Sequence, residues 1–460
     1  MEKWPKLMFP NQIAESQVSG EVFDIPGEDD EKPSFAVLND QQILVFTHHR
    51  HFERGSHLSK EQLEKDRMGE VIHTVMYRTD DGGKTWLCCG HMPFHEGFEA
   101  SATVIDGVIY VQTHEFPHLF ADHDQVIDRI FCSEDQGNSW YETRVDQNYL
   151  GVPPDASLCL DRNFIKLKDG SVAGFIWVNV PNGGYTLRLT TTDRGRTWKQ
   201  DPVDEGVTYT LKCGRAVLCE AFFFRTPKTG RLMAISRVEW AMIPQEQQIP
   251  YSVQQNLRAG IDSADGMLLL ESDDEGLTWK PIRGLGYLSM MYPSLVYTDD
   301  ENFILTYTKR SNTAESPYPH MGVQAVLGRE LSDGSFTVDF DHDIFVIDDR
   351  TPDYSDNGGG YGITHRLSDG SFITPYSYRH NEPVLDEILR TGGVDDEEVF
   401  LRYYNPSSRK KDSGLEDPEF AIQFFRQTSY DLRRHLITKF AREKMETMMK
   451  SQVLKWKLKR

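Results

Sequence analysis

With 71 acidic against 50 basic side chains in 460 residues, the chain carries a formal charge of −21. That balance argues against nucleic acid as a general partner, because a polyanion is repelled except at a local basic patch. The length allows two or three ordinary domains or one large repeat fold.

Six segments read as an apolar strand, a tight Gly, Asp or Asn turn and a second apolar strand. In chain order they are Ser34 to Phe46, Ser101 to Gln112, Phe164 to Val178, Ala221 to Ile235, Ser294 to Tyr307 and Gly362 to Tyr376. Between them recurs one short pattern: Thr79-Asp-Asp-Gly-Gly-Lys-Thr-Trp86, Ser133-Glu-Asp-Gln-Gly-Asn-Ser-Trp140, Thr191-Thr-Asp-Arg-Gly-Arg-Thr-Trp198 and Ser272-Asp-Asp-Glu-Gly-Leu-Thr-Trp279. This is the Asp-box. Each copy follows a β-rich run, so Asp81, Asp135, Asp193 and Asp274 fall where they can bond a turn backbone. The following glycines can take positive φ, and each Trp can pack beneath the turn. These acids resemble catalytic carboxylates by type, but as turn residues far from any axis they read as structural.

Repetition at this scale predicts a solenoid or a propeller. Six hairpins predict a six-bladed, all-β propeller, in which radial repetition leaves only short protected edges. The segment near Gly20 to Ile25 is expected to close the ring against a last blade at Glu398 to Tyr404, removing an open edge. Two stacked β-sandwiches would also give many short strands, but they do not explain one turn chemistry recurring at blade intervals.

From Tyr430 to Arg460 the apolar residues Leu432, Leu436, Phe440, Met445, Met448, Met449 and Val453 recur at helical intervals, with Lys and Arg between them. This predicts a C-terminal amphipathic helix outside the ring, giving a propeller over residues 1–410 and a helical extension over 411–460. Such a helix would dock on its own propeller or on a sister subunit, making a homo-oligomer, or lie on a membrane surface. The absence of any run of eighteen apolar residues predicts no membrane span. The opening Met1-Glu-Lys-Trp-Pro-Lys6 carries no apolar signal core, so a cytoplasmic location is expected, or secretion if a leader is missing from the sequence. Six Cys without CxxC spacing read as reduced core thiols, and neither metal nor cofactor is expected.

Propellers place functional side chains where inner strands and loops meet the axis. In the fourth hairpin Glu220 opens a strand that returns to Arg237, in the fifth Arg310 ends the returning strand, and in the sixth Tyr361 follows three glycines. These features resemble the sialidase superfamily of Asp-box six-bladed propellers, and the resemblance covers roughly residues 30 to 405. It implies an exo-acting glycoside hydrolase for a terminal acidic sugar, with Tyr361 as nucleophile and Glu220 taking its proton. Arg237 and Arg310 would hold the substrate anion through bidentate bonds.

The resemblance breaks at the first blade. Where the family carries Arg-Ile-Pro, this chain has Glu31-Lys32-Pro33, so Lys32 or Arg50 must reach inward instead, and a Lys does not reproduce the planar fork. The acid/base residue falls in a long insertion, with Asp66 favoured by position and Glu53 second. His48, His49, His51 and His57 invite a metal or a His-driven lyase, but without a paired carboxylate at ligand spacing they read as a loop on a wet pocket rim. A lyase for uronic-acid polysaccharides and a non-catalytic carbohydrate-binding propeller remain the alternatives.

Overall fold

The computed structural model describes residues 3–27, 30–49, 73–90, 98–115, 127–153, 157–180, 183–201, 217–239, 264–287, 289–310, 317–318, 321–350, 362–380, 396–406, 414–428 and 448–459, with positions 433, 436, 437 and 440. Among these residues the strands form six separate sheets, the blades of an all-β propeller. Blade 1 runs Asp30–Val37, Ile43–His49, His73–Thr79 and Leu87–Gly90, and blade 2 runs Phe98–Ile105, Val108–Glu115, Ile127–Ser133 and Tyr141–Val145. Blades 3, 4 and 5 open with Ser157–Leu160, Val217–Arg225 and Met290–Tyr297. Blade 6 orders His365–Arg366, Phe372–His380, Met448–Leu458 and Val18–Asp24. The hairpins expected from the sequence fall on the first two strand segments of their blades, except in blade 3, where the hairpin falls on the second and third, Ile165–Lys166 and Val172–Val180.

The strand Ile43–His49 shows why these runs are apolar throughout. Side chains alternate across a sheet, and here both faces are covered. Ile43 and Val45 join a cluster with Ile373 and Val453 of blade 6, whereas Leu44 and Phe46 join one with Ala102, Val111 and Phe131 of blade 2. At roughly 2 kcal/mol for each large side chain taken out of water, such interfaces carry much of the stability.

The four repeated turns connect the third and fourth strands of blades 1 to 4. In the third copy the Thr191 hydroxyl donates to Asp193 at 2.8 Å and accepts from the Gly195 N–H at 2.8 Å. The Asp193 carboxylate also accepts from the Thr197 N–H at 2.9 Å and from its hydroxyl at 2.6 Å. Gly195 sits at φ +89°, and a Cβ there would come within 2.4 Å of Cys132 Sγ. Each Trp then wedges between blades. Trp140 packs edge-on to Phe46 of blade 1, Trp198 to Tyr110 of blade 2 and Trp279 to Phe175 of blade 3. The turn acids are therefore structural clasps at the outer edges of blades 1 to 4.

The end of the chain differs from the expected helix. Helical structure does occur, but as an insertion within blade 6: Glu397–Tyr403 and Pro418–Gln427 are helices, each capped by an Asp side chain, Asp396 and Asp417. Leu436, Ile437 and Phe440 are helical too and fully buried with Phe400, Phe425 and Met321, so this apolar face packs within its own chain. Beyond it Met448–Leu458 is a strand, inserted between Phe372–His380 and Val18–Asp24. Within the expected extension over 411–460, residues 448–458 therefore belong to the ring as a strand of blade 6. The expected closure by the N-terminal segment is present, but its partner is the C-terminal strand; the expected partner segment at Glu398 to Tyr404 is largely the helix Glu397–Tyr403. The physical reason lies in period: Leu454, Trp456 and Leu458 alternate with Lys455 and Lys457, a strand pattern hidden under helical spacing farther upstream. Cys132 is a core thiol as expected, whereas Cys88 and Cys89 are exposed. Among the described residues no helix is long and apolar enough to cross a membrane.

Replacing Asp193 with Ala is expected to cost about 1–3 kcal/mol in denaturant unfolding at neutral pH, because several turn donors lose their acceptor. The Thr197 hydroxyl, above all, holds the Asp193 carboxyl below its usual range. That contribution is complete above the unfolded-state pKa of about 3.9 and fades as pH falls through the lower folded value. The difference between wild type and Asp193→Ala should thus shrink below about pH 4, and a constant difference across that range would count against the clasp.

Candidate functional site

The first strand of a blade is where chemistry collects. In four blades that strand carries the same irregularity: two residues oppose one on the neighbouring strand between Glu31 and Ser34, Phe98 and Ser101, Cys219 and Phe222, and Met291 and Ser294. The first bulged residue of each takes positive φ: Lys32 at +51°, Glu99 at +49°, Glu220 at +51° and Tyr292 at +53°. Side chains other than Gly cost about 1–2 kcal/mol in that region, and such strain persists only where surrounding structure imposes it. A bulge re-aims a side chain out of the alternation that would otherwise bury it between sheets. Hydrogen bonds then tie neighbouring blades together beside the bulges: Ala102 N–H to Ser34 Oγ at 3.0 Å, Phe223 N–H to Asn163 Oδ1 at 2.8 Å, Thr364 N–H to Ser294 Oγ at 3.1 Å and Lys32 N–H to Ser377 Oγ at 3.2 Å.

Glu220 and Arg237 meet as their hairpin predicted. Arg237 Nη1 donates to Glu220 Oε2 at 2.7 Å, with the two side chains only 5% and 11% exposed. Arg310 comes to the same place from blade 5, its Nη2 donating to the Tyr292 hydroxyl at 2.7 Å. The Tyr292 ring is the common neighbour. The guanidinium carbon of Arg310 stands 4.8 Å from its centroid, that of Arg237 5.6 Å, and that of Arg162, from blade 3, 5.5 Å. Cation–π contact of this kind contributes about 0.5–2 kcal/mol per pair when desolvated.

Lys32 reaches a different partner: its ammonium is paired with Glu99 of blade 2, and both side chains are largely buried. His48 does not sit on a pocket rim. It lies in the strand Ile43–His49 opposite Glu31, with Nδ1 3.7 Å from Oε1 and neither side chain exposed. Tyr361, Asp66, Arg50, Glu53, His51 and His57 lie outside the described residues, as does the His49 side chain. Gly362, next to Tyr361, is buried so closely that a Cβ would meet the Pro375 carbonyl at 1.9 Å.

Arg162, Tyr292 and Glu99 escaped the sequence reading. A signal existed, since Lys32-Pro-Ser34, Glu99-Ala-Ser101 and Tyr292-Pro-Ser294 share the form of a large side chain, a Pro or Ala, then Ser, at the start of a hairpin. Proline within a strand marks an edge or a bulge. Arg162 carries no such mark, and only the ring geometry brings it to Tyr292. Removing Glu220 should expose the role of the pair in stability: Glu220→Ala leaves Arg237 buried without this carboxylate and is expected to cost about 3 kcal/mol or more. Adding Arg237→Met should recover much of that loss, as read by urea unfolding of the single and double variants.

No family model matches this chain, and no curated protein matches it in sequence. Among solved structures it is similar to a protein of unknown function from Dyadobacter fermentans DSM 18053, at TM-score 0.52 and 16% identity over 79% of this chain and 95% of that one. More distant likenesses include the NanB sialidase of Streptococcus pneumoniae, at 0.47 and 13% over 81% and 67%, and an α-L-arabinanase of Penicillium chrysogenum, at 0.47 and 12% over 82% and 93%. At 16% identity the likeness to the first of these is one of fold alone.

Proposed function

We propose that the protein is a sialidase-like, exo-acting glycoside hydrolase that removes a terminal acidic sugar. The observation that carries this reading is the convergence of Arg237, paired with Glu220, and Arg310 on one buried ring at the inner strands of blades 4 and 5. Guanidinium groups present planar forks suited to a carboxylate, and in a partly desolvated site they hold it more firmly than in water. The four turns with their Ser/Thr, Asp, Gly and Trp support assignment as Asp-boxes.

In the proposed reaction the Tyr361 oxygen attacks the anomeric carbon as the bond to the leaving oxygen breaks. Glu220 accepts the phenol proton, and Asp66 protonates the leaving group. Water, deprotonated by Asp66, then displaces the sugar from Tyr361, which recovers its proton from Glu220. A neutral nucleophile suits a centre that bears a carboxylate, because an Asp or Glu would meet charge repulsion there. Lys32, engaged by Glu99, is the weaker member of the proposed binding set, and Arg50 the alternative.

One observation favours a second reading. A tyrosine beside several arginines, as at Tyr292, is also what a lyase needs to take a proton next to a neutralised uronate carboxylate. The products separate the two: a lyase yields an unsaturated sugar that absorbs in the ultraviolet, a hydrolase a saturated reducing sugar.

Assays should span sialic acid, uronic acid and related acidic glycans. On whichever glycan is cleaved, Tyr361→Phe is expected to lower kcat by several orders of magnitude with little change in melting temperature, and full activity would overturn the mechanism. Arg237→Lys and Arg310→Lys are each expected to raise KM for acidic glycans at least tenfold while scarcely affecting the binding of neutral sugars. Equal losses for both sugar classes would remove the clamp.

A further inference from the structure

We propose that Arg162 of blade 3 is a third, specificity-determining arm of the anion clamp, and that Tyr292 is the platform that holds the three arginines together. This rests on the acidic-sugar reading above and extends it to residues which neither the sequence nor the resemblance singled out.

The topology supplies the first argument. Blade 4 lies between blades 3 and 5 in the ring, yet Arg162 Nη1 donates to the Pro293 carbonyl of blade 5 at 3.0 Å, across 131 positions of sequence. A side chain that bridges non-adjacent blades does so past the inner edge of the blade between them, where the ring converges. A purely structural brace between blades has shorter routes, such as the hydrogen bond of Phe223 N–H to Asn163 Oδ1 from blade 3 to blade 4. Arg162 thus belongs with the groups at the axis, and it is only 2% exposed.

The second argument is electrostatic. Three guanidinium carbons lie 4.8, 5.5 and 5.6 Å from one centroid. No two of them are then more than about 11 Å apart, and the Glu220 carboxylate stands beside them, 2.7 Å from Arg237. The negative face of the Tyr292 ring attracts all three guanidinium groups. A chain with net charge −21 concentrates these cations at one point. Such a site favours an anion whose oxygens can be shared among several forks, which describes a carboxylate on a sugar.

Tyr292 fits the role of platform because the bulge places it there. Its positive φ and the following Pro293 turn the ring out of the blade, its hydroxyl receives Arg310, and its neighbour's carbonyl receives Arg162. One residue and the next thereby fix two of the three guanidinium groups.

The test uses the full chain and calorimetric titration with three probes: N-acetylneuraminate, D-glucuronate and methyl β-D-glucopyranoside, the last as neutral reference. Arg162→Lys and Arg162→Gln are expected to weaken whichever acidic probe the wild type binds by tenfold or more, Gln more than Lys. The melting temperature and the response to the neutral probe should stay close to wild type. Arg237→Lys and Arg310→Lys are titrated alongside. If those two lose acidic-sugar binding and the Arg162 variants do not, Arg162 is a brace and this inference fails while the functional reading stands. If none of the variants alters acidic-sugar binding, or the wild type binds neither acidic probe, the acidic-sugar reading itself fails. An equal loss for acidic and neutral probes with a lowered melting temperature in Arg162→Gln, and no acid-selective loss in Arg162→Lys, also overturns the assignment.

Discussion

Everything at the centre of this molecule depends on one pairing at its edge, the antiparallel match of Val18–Asp24 with Met448–Leu458. The C-terminal strand is flanked on its other side by Phe372–His380, so the two ends of the chain are stitched into a single blade. A row of sheets joined only in sequence would have two open ends and no reason to converge. Closure turns that row into a ring, and only in a ring do first strands from blades 3, 4 and 5 face a common axis. A second stitch, Lys6–Met8 against Ile344–Asp348, fastens the N-terminus to blade 5 as well. The burial of Val453, Leu454 and Trp456, each at 1% exposure or less, shows how much apolar surface that closure removes from water.

Within the ring, both edges of a blade hold side chains at positive φ, to different ends. In the outer turns Gln136, Arg194 and Glu275 and the glycine after each take the left-handed conformation, while hydroxyl and carboxylate groups within a few residues satisfy the turn donors. The inner bulges hold Lys, Glu and Tyr at positive φ, where the conformation re-aims the side chain out of the sheet alternation. Strain of that sort is typical where side-chain direction matters more than stability. The four positions concerned supply an ammonium, two carboxylates and a phenol, the groups from which acid–base and anion-binding chemistry is made.

Net charge and local field are separate properties here. The chain is acidic overall, while buried arginines gather around Tyr292 and the Lys32–Glu99 and Glu220–Arg237 pairs neutralise themselves. Removing one member of such a pair is far more costly than the pair is stabilising, because a lone charge is left in a poor solvent. That asymmetry explains why the inner edges tolerate charge at all.

Where structure arises from contacts between residues close in sequence, the amino-acid string alone determined it. The turn clasps form within eight residues, the hairpins within about fifteen, and the meeting of Glu220 with Arg237 follows from the register of one hairpin. Blade number, turn chemistry and that ion pair were therefore legible. The ring decided the rest. The last strand hid behind helical spacing because its two partners, one at each of its sides, come from residues 18–24 and 372–380, and nothing near residue 450 records them. The pairing of Lys32 with Glu99, and the passage of Arg162 to Pro293, join blades whose separation in sequence says nothing about their separation in space. Packing of one blade on the next brings the first pair together and the curvature of the ring the second, so the charged centre of the site is a property of the tertiary fold.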